Sequence, residues 1–239
     1  MKPEFPQGDL HVHTLYSDGC TTLPALVHAA LRKKLTVVAK TDHDTCRGNA
    51  QLGILCREKD LLFLPGIEIS TKEGHMVALG IDHWMRGRFN AEETAEKVHE
   101  LGGVAIMAHP FEPKGMKDRV LTKKNIDAFE ILNGAFPRQN LKTLRRTAEI
   151  LQMSRVSVMV GGDSHAGISY GEYVNEFLCD FSIDDILEAI RKKQVKYQAP
   201  LFPIRSWLAD GAPNQLYQLR RILLYRRSRP RSEFGNNAL

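Results

Sequence analysis

The chain has 239 residues, of which 43% are hydrophobic and 26% are charged. A chain of this length can bury a full core as one large domain, since α/β barrels of this size are commonly undivided. No apolar run approaches the roughly 18 residues that would span a bilayer, which predicts a soluble protein without a membrane partner. The first ten residues lack the basic and then apolar pattern of a secretory signal, so the expected compartment is the cytoplasm.

The net charge of +5 and a pI near 9.0 suggest an anionic partner, but the charge is unevenly spread. Six arginines lie in the last twenty residues, namely Arg220, Arg221, Arg226, Arg227, Arg229 and Arg231. We interpret residues 1–203 as a barrel domain and residues 204–239 as a terminal helix followed by a basic tail. The tail is either a solvated end or a docking surface for nucleic acid or an acidic partner.

Short β-branched runs alternate with amphipathic stretches along the chain, which is the pattern of βαβ units. Strands are predicted over residues 10–13, 36–40, 61–64, 76–81, 104–107, 128–132 and 156–160. Helices are predicted over residues 22–35, 48–59, 91–101, 139–153 and 183–193. In the first helix Pro24 lies in the first turn, and the apolar stripe consists of Leu23, Leu26, Val27, Ala30 and Leu31. This alternation fits an open doubly wound sheet or a closed barrel.

Histidines and carboxylates gather near the ends of these strands. His11 and His13 are two residues apart, so on a strand both side chains point the same way and can meet one ion. The later candidates are Asp18, His43, Glu68, His75, His109, Asp163 and His165. The carboxyl ends of the strands are where α/β barrels hold their active sites. The other three of the nine histidines, His28, His83 and His99, are interpreted as structural or surface residues.

A site of imidazoles and carboxylates without thiolate suits zinc, manganese or iron, and it disfavours magnesium or calcium as the resident ion. The candidate set exceeds what one ion needs, which predicts two or three divalent ions bridged by a carboxylate. Such a centre lowers the pKa of a bound water toward ~7, so a metal-bound hydroxide can hydrolyse a phosphate ester. The sequence has no Walker loop, GxSxG elbow or GxGxxG turn, so nucleoside-triphosphate, serine-hydrolase and hydride chemistry are not indicated.

The ordered motifs DLHVHTLYSDG, TDHD, PGIEIS, AHP and GGDSH, with His75 among them, resemble those of the PHP superfamily, named for polymerase and histidinol phosphatase. The resemblance implies an α/β fold, a distorted TIM-like (β/α)7 barrel with a trinuclear site at the carboxyl ends of its strands. It implies that one ion is held by His11, His13, Glu68 and Asp163. It implies that Glu68 bridges to a second ion held by His75 and His109. The third ion would then be held by Asp18, His43 and His165.

All nine positions of the family pattern are filled, which favours a metal-dependent phosphoric ester hydrolase over a non-catalytic metal-binding interaction module. The resemblance implies a small phosphomonoester or a nucleotide as substrate, with 5′-3′ exonuclease activity on short oligonucleotides as the alternative. The segment between AHP and FEILNG is short, which weakens a direct transfer of nucleotide specificity. Arg47, after TDHDT, and Arg138, after the strand of FEILNG, are predicted to bind substrate. The sequence does not indicate the direction in which the Lys40 side chain points.

Overall fold

The part of the chain that the structure describes forms an α/β fold with two sheets. The structure is a computed structural model, and it describes residues 3–84, 87, 89–110, 125–135 and 156–200. The strands are β1 (Gln7–Gly8), β2 (Val37–Lys40), β3 (Leu62–Ser70), β4 (His75–Leu79), β5 (Val104–Met107), β6 (Ala128–Asn133), β7 (Ser157–Gly161), β8 (Val174–Phe177) and β9 (Val195–Gln198). Within these residues the helices are α1 (Leu23–Arg32), α2 (Asn49–Arg57), α3 (Ala91–Glu100) and α4 (Ile183–Arg191). The predicted helix over residues 139–153 and the terminal region 204–239 lie outside the described residues.

The larger sheet contains six strands in the order β2-β3-β4-β5-β6-β7. β2 and β3 are parallel, as are β5, β6 and β7, whereas β4 is antiparallel to both of its neighbours. In the described part of the chain the sheet is therefore a curled, mixed half-barrel, and the (β/α)7 arrangement is not confirmed. The smaller sheet, β1-β8-β9, is antiparallel and was not predicted.

Strand β3 changes its partner halfway along its length. Its first half, up to Pro65, pairs in parallel with β2, and its second half, from Gly66 to Ser70, pairs in antiparallel with β4. Proline has no N–H to donate, so it is tolerated at a point where the ladder changes. The sequence predicts that this strand ends at residue 64 and that Glu68 follows it. That boundary was wrong, because Glu68 lies inside β3.

Residues 10–13 link the two edges of the larger sheet. Val12 forms a parallel bridge with Ser164, just beyond β7, and the backbone N–H of His13 donates to the Ser164 carbonyl at 2.9 Å. On the other side, the backbone N–H of Thr41, just beyond β2, donates to the Val12 carbonyl at 3.0 Å. The predicted strand here is thus extended chain with one isolated bridge. This segment carries His11 and His13 between the first and last strands of the sheet.

The helices pack on the sheets through the faces that their periodicity predicts. At the start of α1 the side chain of Thr22 accepts a hydrogen bond from the backbone N–H of Ala25, which satisfies one donor of the first turn. The buried stripe of α1 consists of Leu23, Leu26, Val27, Ala29 and Ala30. Leu31, predicted in that stripe, is 40% exposed, because it falls on the same helical face as the exposed Pro24. The predicted helices over residues 48–59, 91–101 and 183–193 are confirmed with small shifts at their ends.

A buried carboxylate, that of Asp9, fastens the loop after β7 to the segment before His11. The backbone N–H groups of Gly162 and Gly171 donate to its two oxygens, each at 2.9 Å. Burial raises the pKa of Asp9 to about 7, even though these backbone bonds act in the opposite direction. A Cβ atom on Gly162 would collide with this carboxylate. Glycine is therefore required by close approach at this position.

We expect Gly162→Ala to lower the free energy of unfolding by about 1–3 kcal/mol, because the added methyl group must displace the buried Asp9 carboxylate. Urea denaturation monitored by circular dichroism measures this. Gly53→Ala, inside α2, is the matched control, since a Cβ there meets only the ring edge of Phe63 at 3.2 Å and alanine favours the helix by up to about 1 kcal/mol. The control should be as stable as the wild type or more so. Equal losses in the two variants would contradict the role given to Gly162.

Candidate metal centre

The structure brings the nine predicted ligand residues together at one end of the larger sheet. Their potential ligand atoms form four overlapping groups, each with all atoms within 4.8 Å of one another. The groups are His13 with Asp18, His43 and His165; His11 with Glu68 and His109; His11 with His13 and Asp163; and His43 with Glu68 and His75. The strand ends explain much of this convergence, because four of these residues, His43, His109, Asp163 and His165, follow closely on β2, β5 and β7. His75 instead opens β4, whose reversed direction brings its start to the same end.

Glu68 lies at the middle of the cluster, and its two oxygens face different imidazoles. The side chain is 1% exposed. Its Oε2 lies 3.5, 3.2 and 3.0 Å from a ring nitrogen of His11, His13 and His43, respectively. Its Oε1 lies 3.0 Å from a ring nitrogen of both His75 and His109. A carboxylate whose two oxygens face different sets of imidazoles has the arrangement needed to bridge two ions.

Asp163 faces the paired histidines of the first motif. Its Oδ1 lies 3.1 Å from His13 Nε2 and 3.6 Å from His11 Nε2. Its backbone has a φ of 47°, and that of His109 has a φ of 29°. Left-handed backbone at residues other than glycine costs on the order of 1–3 kcal/mol and clusters at functional sites. Two of the nine residues are therefore held in place at a conformational cost.

Asp18 forms the outer side of the cluster. Its Oδ2 lies 3.4 Å from His165 Nε2 and 3.7 Å from His43 Nε2. The other ring nitrogen of His165 lies 2.9 Å from the backbone carbonyl of Asp163, which directs Nε2 toward Asp18. The Asp18 side chain is 42% exposed, so this part of the cluster is open to solvent.

The spacing of these atoms fits a bound cation better than it fits hydrogen bonds among the side chains. His11 Nε2, His13 Nε2 and Glu68 Oε2 are buried and have no hydrogen-bond partner among the described residues. The Glu68 oxygen nevertheless lies only 3.5 Å from His11 Nε2 and 3.2 Å from His13 Nε2. Ligand atoms that are about 2.1 Å from one ion lie about 3.0–3.4 Å apart in octahedral or tetrahedral geometry. The donor set contains imidazoles and carboxylates alone, which suits zinc, manganese or iron.

The charges of the cluster shift the pKa values of its members. Burial alone would raise the pKa of Glu68, but the surrounding imidazoles, His11 first among them, hold it well below its usual range. Burial lowers the pKa of His165, but Asp18 and Asp163 outweigh this effect and raise it to about 9. An imidazole must be neutral to bind a metal ion. Binding of cations here should therefore release protons and weaken as the pH falls.

Glu130, on β6, supports the cluster from outside, and the sequence analysis did not assign it a role. Its Oε1 lies 2.7 Å from His11 Nδ1, and its Oε2 accepts hydrogen bonds from the backbone N–H of His109 at 2.9 Å and from Asn133 Nδ2 at 3.1 Å. A carboxylate on one ring nitrogen orients the imidazole so that the other nitrogen is available to a metal ion. The available signal was a glutamate in a buried run whose neighbouring residues, from Ala128 to Leu132, are apolar.

The remaining predicted residues lie outside this cluster or outside the described residues. Arg47 is exposed on the loop between β2 and α2. Arg138 lies outside the described residues. His28 and His83 are exposed, and His99 Nε2 lies 2.7 Å from Asp127 Oδ2 at another place in the fold.

An α/β fold with a buried cluster of imidazoles and carboxylates at its strand ends has the site of a metal-dependent hydrolase. The model of the PHP domain family matches residues 9–169, which is more than half of the chain. The chain belongs to the PHP domain family, as its motifs predicted. It is accordingly a metal-dependent phosphoesterase that uses divalent metal ions, and the predicted enzyme class is confirmed.

Three relatives of known sequence show how far this similarity extends. The chain is 34% identical over 140 residues to an uncharacterized protein of Methanocaldococcus jannaschii, covering 53% of this chain and 81% of that protein. It is 40% identical over 97 residues to the 5′-3′ exoribonuclease Rnm of Escherichia coli, covering 37% of this chain and 33% of the enzyme. It is 36% identical over 78 residues to the 3′,5′-nucleoside bisphosphate phosphatase of Chromobacterium violaceum, covering 31% and 27%. The matched segments thus cover a third or less of the length of the exoribonuclease and of the phosphatase.

Solved structures agree with the fold. PsfC of Pseudomonas syringae superposes with a TM-score of 0.68 at 16% identity, covering 91% of this chain and 99% of that one. A two-domain protein of Bacteroides vulgatus that contains a predicted PHP-like metal-dependent phosphoesterase superposes with a TM-score of 0.65 at 16% identity, covering 88% and 72%. At this identity the likeness concerns the fold. Among the described residues, no helix combines the length and apolar character needed to cross a membrane.

We expect Glu130→Gln to weaken metal binding and phosphoesterase turnover by roughly 10–100-fold, because the neutral amide no longer holds His11 as a charged acceptor does. Metal affinity is measured by competition with a chromophoric chelator, and turnover with a generic phosphate ester. His99→Gln is the matched control, since it breaks another His–carboxylate contact of the same 2.7 Å length. The control should bind metal as the wild type does. Loss of similar size in both variants would refute the supporting role of Glu130.

Proposed function

We propose that this phosphoesterase hydrolyses its substrate at a centre of three divalent ions held by the nine clustered side chains. In this assignment the first ion is held by His11, His13, Glu68 and Asp163. The second is held by Glu68, His75 and His109, and the third by Asp18, His43 and His165. The observation that carries the proposal is the division of the two Glu68 oxygens between two sets of imidazoles, at 3.0–3.5 Å.

The metal ions are manganese, zinc or iron, in keeping with a donor set of imidazoles and carboxylates. When bound, they supply Lewis acidity, lower the pKa of the attacking water and neutralise charge on the phosphate. The protein's own contribution is to hold and orient the side chains that would bind the ions. Glu130 fixes the ring of His11, and Asp9 fixes the loop that leads to Asp163. No side chain is assigned as a separate general base.

The proposed substrate is a small phosphomonoester or a nucleotide. The similarity to a nucleoside bisphosphate phosphatase supports this class, although it covers 31% of the chain. The second candidate is 5′-3′ exonuclease activity on short oligonucleotides, which the similarity to the exoribonuclease Rnm supports. The arginines of the terminal tail are proposed to contact nucleic acid in that case. Turnover of histidinol phosphate, mononucleotides and 5′-phosphorylated oligonucleotides, compared side by side, distinguishes the two candidates.

Arg47 is proposed to bind the substrate phosphate. It lies four residues after His43 and two residues before α2 begins at Asn49. The residue that caps α2 is Gly48, which has a φ of 88° and contributes no side-chain hydrogen bond to the first turn. The N-terminus of a helix carries partial positive charge and backbone donors that favour an anion. An exposed guanidinium beside such a helix end can complete a phosphate contact. Arg138 is proposed for the same role from sequence alone.

The metal proposal is tested by chelation together with Glu68→Gln. The purified protein should carry two or more equivalents of manganese, zinc or iron and lose its turnover when these are removed. Glu68→Gln should lower the metal content by at least one equivalent and turnover by about 100-fold or more, because two ions lose a shared charged ligand. Glu188→Gln, at an exposed carboxylate of α4, serves as control and should change neither quantity. Full activity of metal-free protein would reject the proposal.

The phosphate proposal is tested by Arg47→Ala. Loss of one charge-assisted contact should raise KM by roughly tenfold and leave kcat unchanged, because the contact binds ground and transition states alike. Arg57→Ala is the matched control, since this arginine ends the same helix about 13 Å away along its axis. Steady-state kinetics on one phosphate ester measures both variants. An unchanged KM in Arg47→Ala, or an equal rise in both variants, removes Arg47 from the binding site.

A further inference from the structure

Lys40, the last residue of β2, is fully buried and points away from solvent beneath the loop that follows His13. Its Nζ lies 2.9 Å from Asp42 Oδ2 and donates to the carbonyl oxygen of Thr45 at 3.3 Å. It also lies 5.6 Å from the centroid of the Tyr16 ring. Both members of the Lys40–Asp42 pair are 0% exposed. A lysine so placed cannot reach a substrate, so its role must be exerted through its partner.

Asp42 binds two points of the loop of residues 14–18. Its Oδ1 accepts the backbone N–H of Thr14 at 2.8 Å and the Ser17 hydroxyl at 2.5 Å. Its Oδ2 accepts the Thr14 hydroxyl at 2.6 Å, besides the contact with Lys40. One carboxylate therefore ties the residue after His13 to the residue before Asp18. The loop's two ends cannot move apart while these bonds persist.

Asp18 ends this loop, and its side chain is packed less closely than that of Glu68. Its side chain is 42% exposed, whereas that of Glu68 is 1% exposed. Its Oδ2 nevertheless lies 3.4 Å from His165 Nε2, in the group of four that also contains His13 and His43. A half-exposed carboxylate keeps a ligand geometry only if its backbone is fixed.

We propose that the buried Lys40–Asp42 pair is a positioning element, which holds the loop of residues 14–18 so that Asp18 completes the binding site of the third ion. The proposal rests on the three-ion assignment made above. Lys40 is needed because Asp42 is an anion without access to water, and such a charge is stable only when it is paired. The loop bonds alone leave that charge uncompensated.

The alternative role for this pair is that it only stabilises the fold, and the experiment separates the two. Lys40→Met leaves Asp42 buried and unpaired, so we expect lower stability and a loss of roughly 10–100-fold in the affinity of one metal ion. The double variant Lys40→Met/Asp42→Asn removes both charges. We expect it to recover stability, while the affinity for that ion stays low because the amide has a single acceptor oxygen for the loop. Asp18→Asn provides the reference for a centre that lacks its third ion.

The measurements are metal content after dialysis, metal affinity by chelator competition, and the free energy of unfolding. The proposal holds if both Lys40 variants lose the same ion as Asp18→Asn, with the double variant near wild-type stability. It is overturned if Lys40→Met binds every ion with wild-type affinity while Asp18→Asn loses one. It is also overturned if the double variant recovers stability and metal binding together. If Asp18→Asn retains every ion, the ligand assignment itself fails, and the positioning role fails with it.

Discussion

The carboxylate of Glu68 is buried, and a buried anion is stable only where positive charge or hydrogen-bond donors surround it. It is surrounded by five imidazoles from four separate segments of the chain. Two irregular features of the larger sheet bring these imidazoles around Glu68. The change of partner at Pro65 places Glu68 within β3, and the reversed direction of β4 brings His75 to the same end of the sheet. The fold therefore meets the electrostatic requirement of the site, because it surrounds the buried Glu68 carboxylate with imidazoles.

A second set of buried carboxylates surrounds the first, and each ties down a segment that bears proposed ligands. Glu130 holds the ring of His11, Asp9 holds the loop that leads to Asp163, and Asp42 holds the loop that leads to Asp18. Each of these carboxylates accepts at least one backbone N–H from the segment that it holds or from a neighbouring ligand segment. Ligands on loops need such support, because a displacement of about 1 Å spoils a metal site. The outer carboxylates supply it without competing for the ions.

The convergence of the nine candidate residues could be predicted, because the first motif begins on a predicted strand, the later motifs directly follow or open predicted strands, and parallel strands end at one edge. The direction of β4 could not, since periodicity reports which residues are apolar and not which way a strand runs. The pattern predicts that the strand ends at residue 64, before Pro65, whereas this proline lies inside β3 where the strand changes its partner. The outer carboxylates were missed for a different reason. Asp9 binds Gly162 across 153 positions, and a lone carboxylate carries no spacing that reveals so distant a partner.

The charge of the centre also indicates where substrate choice must be made. Three divalent ions would bring +6 against −3 from the carboxylates of Glu68, Asp163 and Asp18, which leaves about +3. A centre of that charge attracts any phosphate dianion, so it cannot by itself separate a small ester from the end of an oligonucleotide. Discrimination requires groups that contact the remainder of the substrate. Arg47, beside the start of α2, is proposed to contact the phosphate itself, so any preference for longer substrates must come from residues further from the ions.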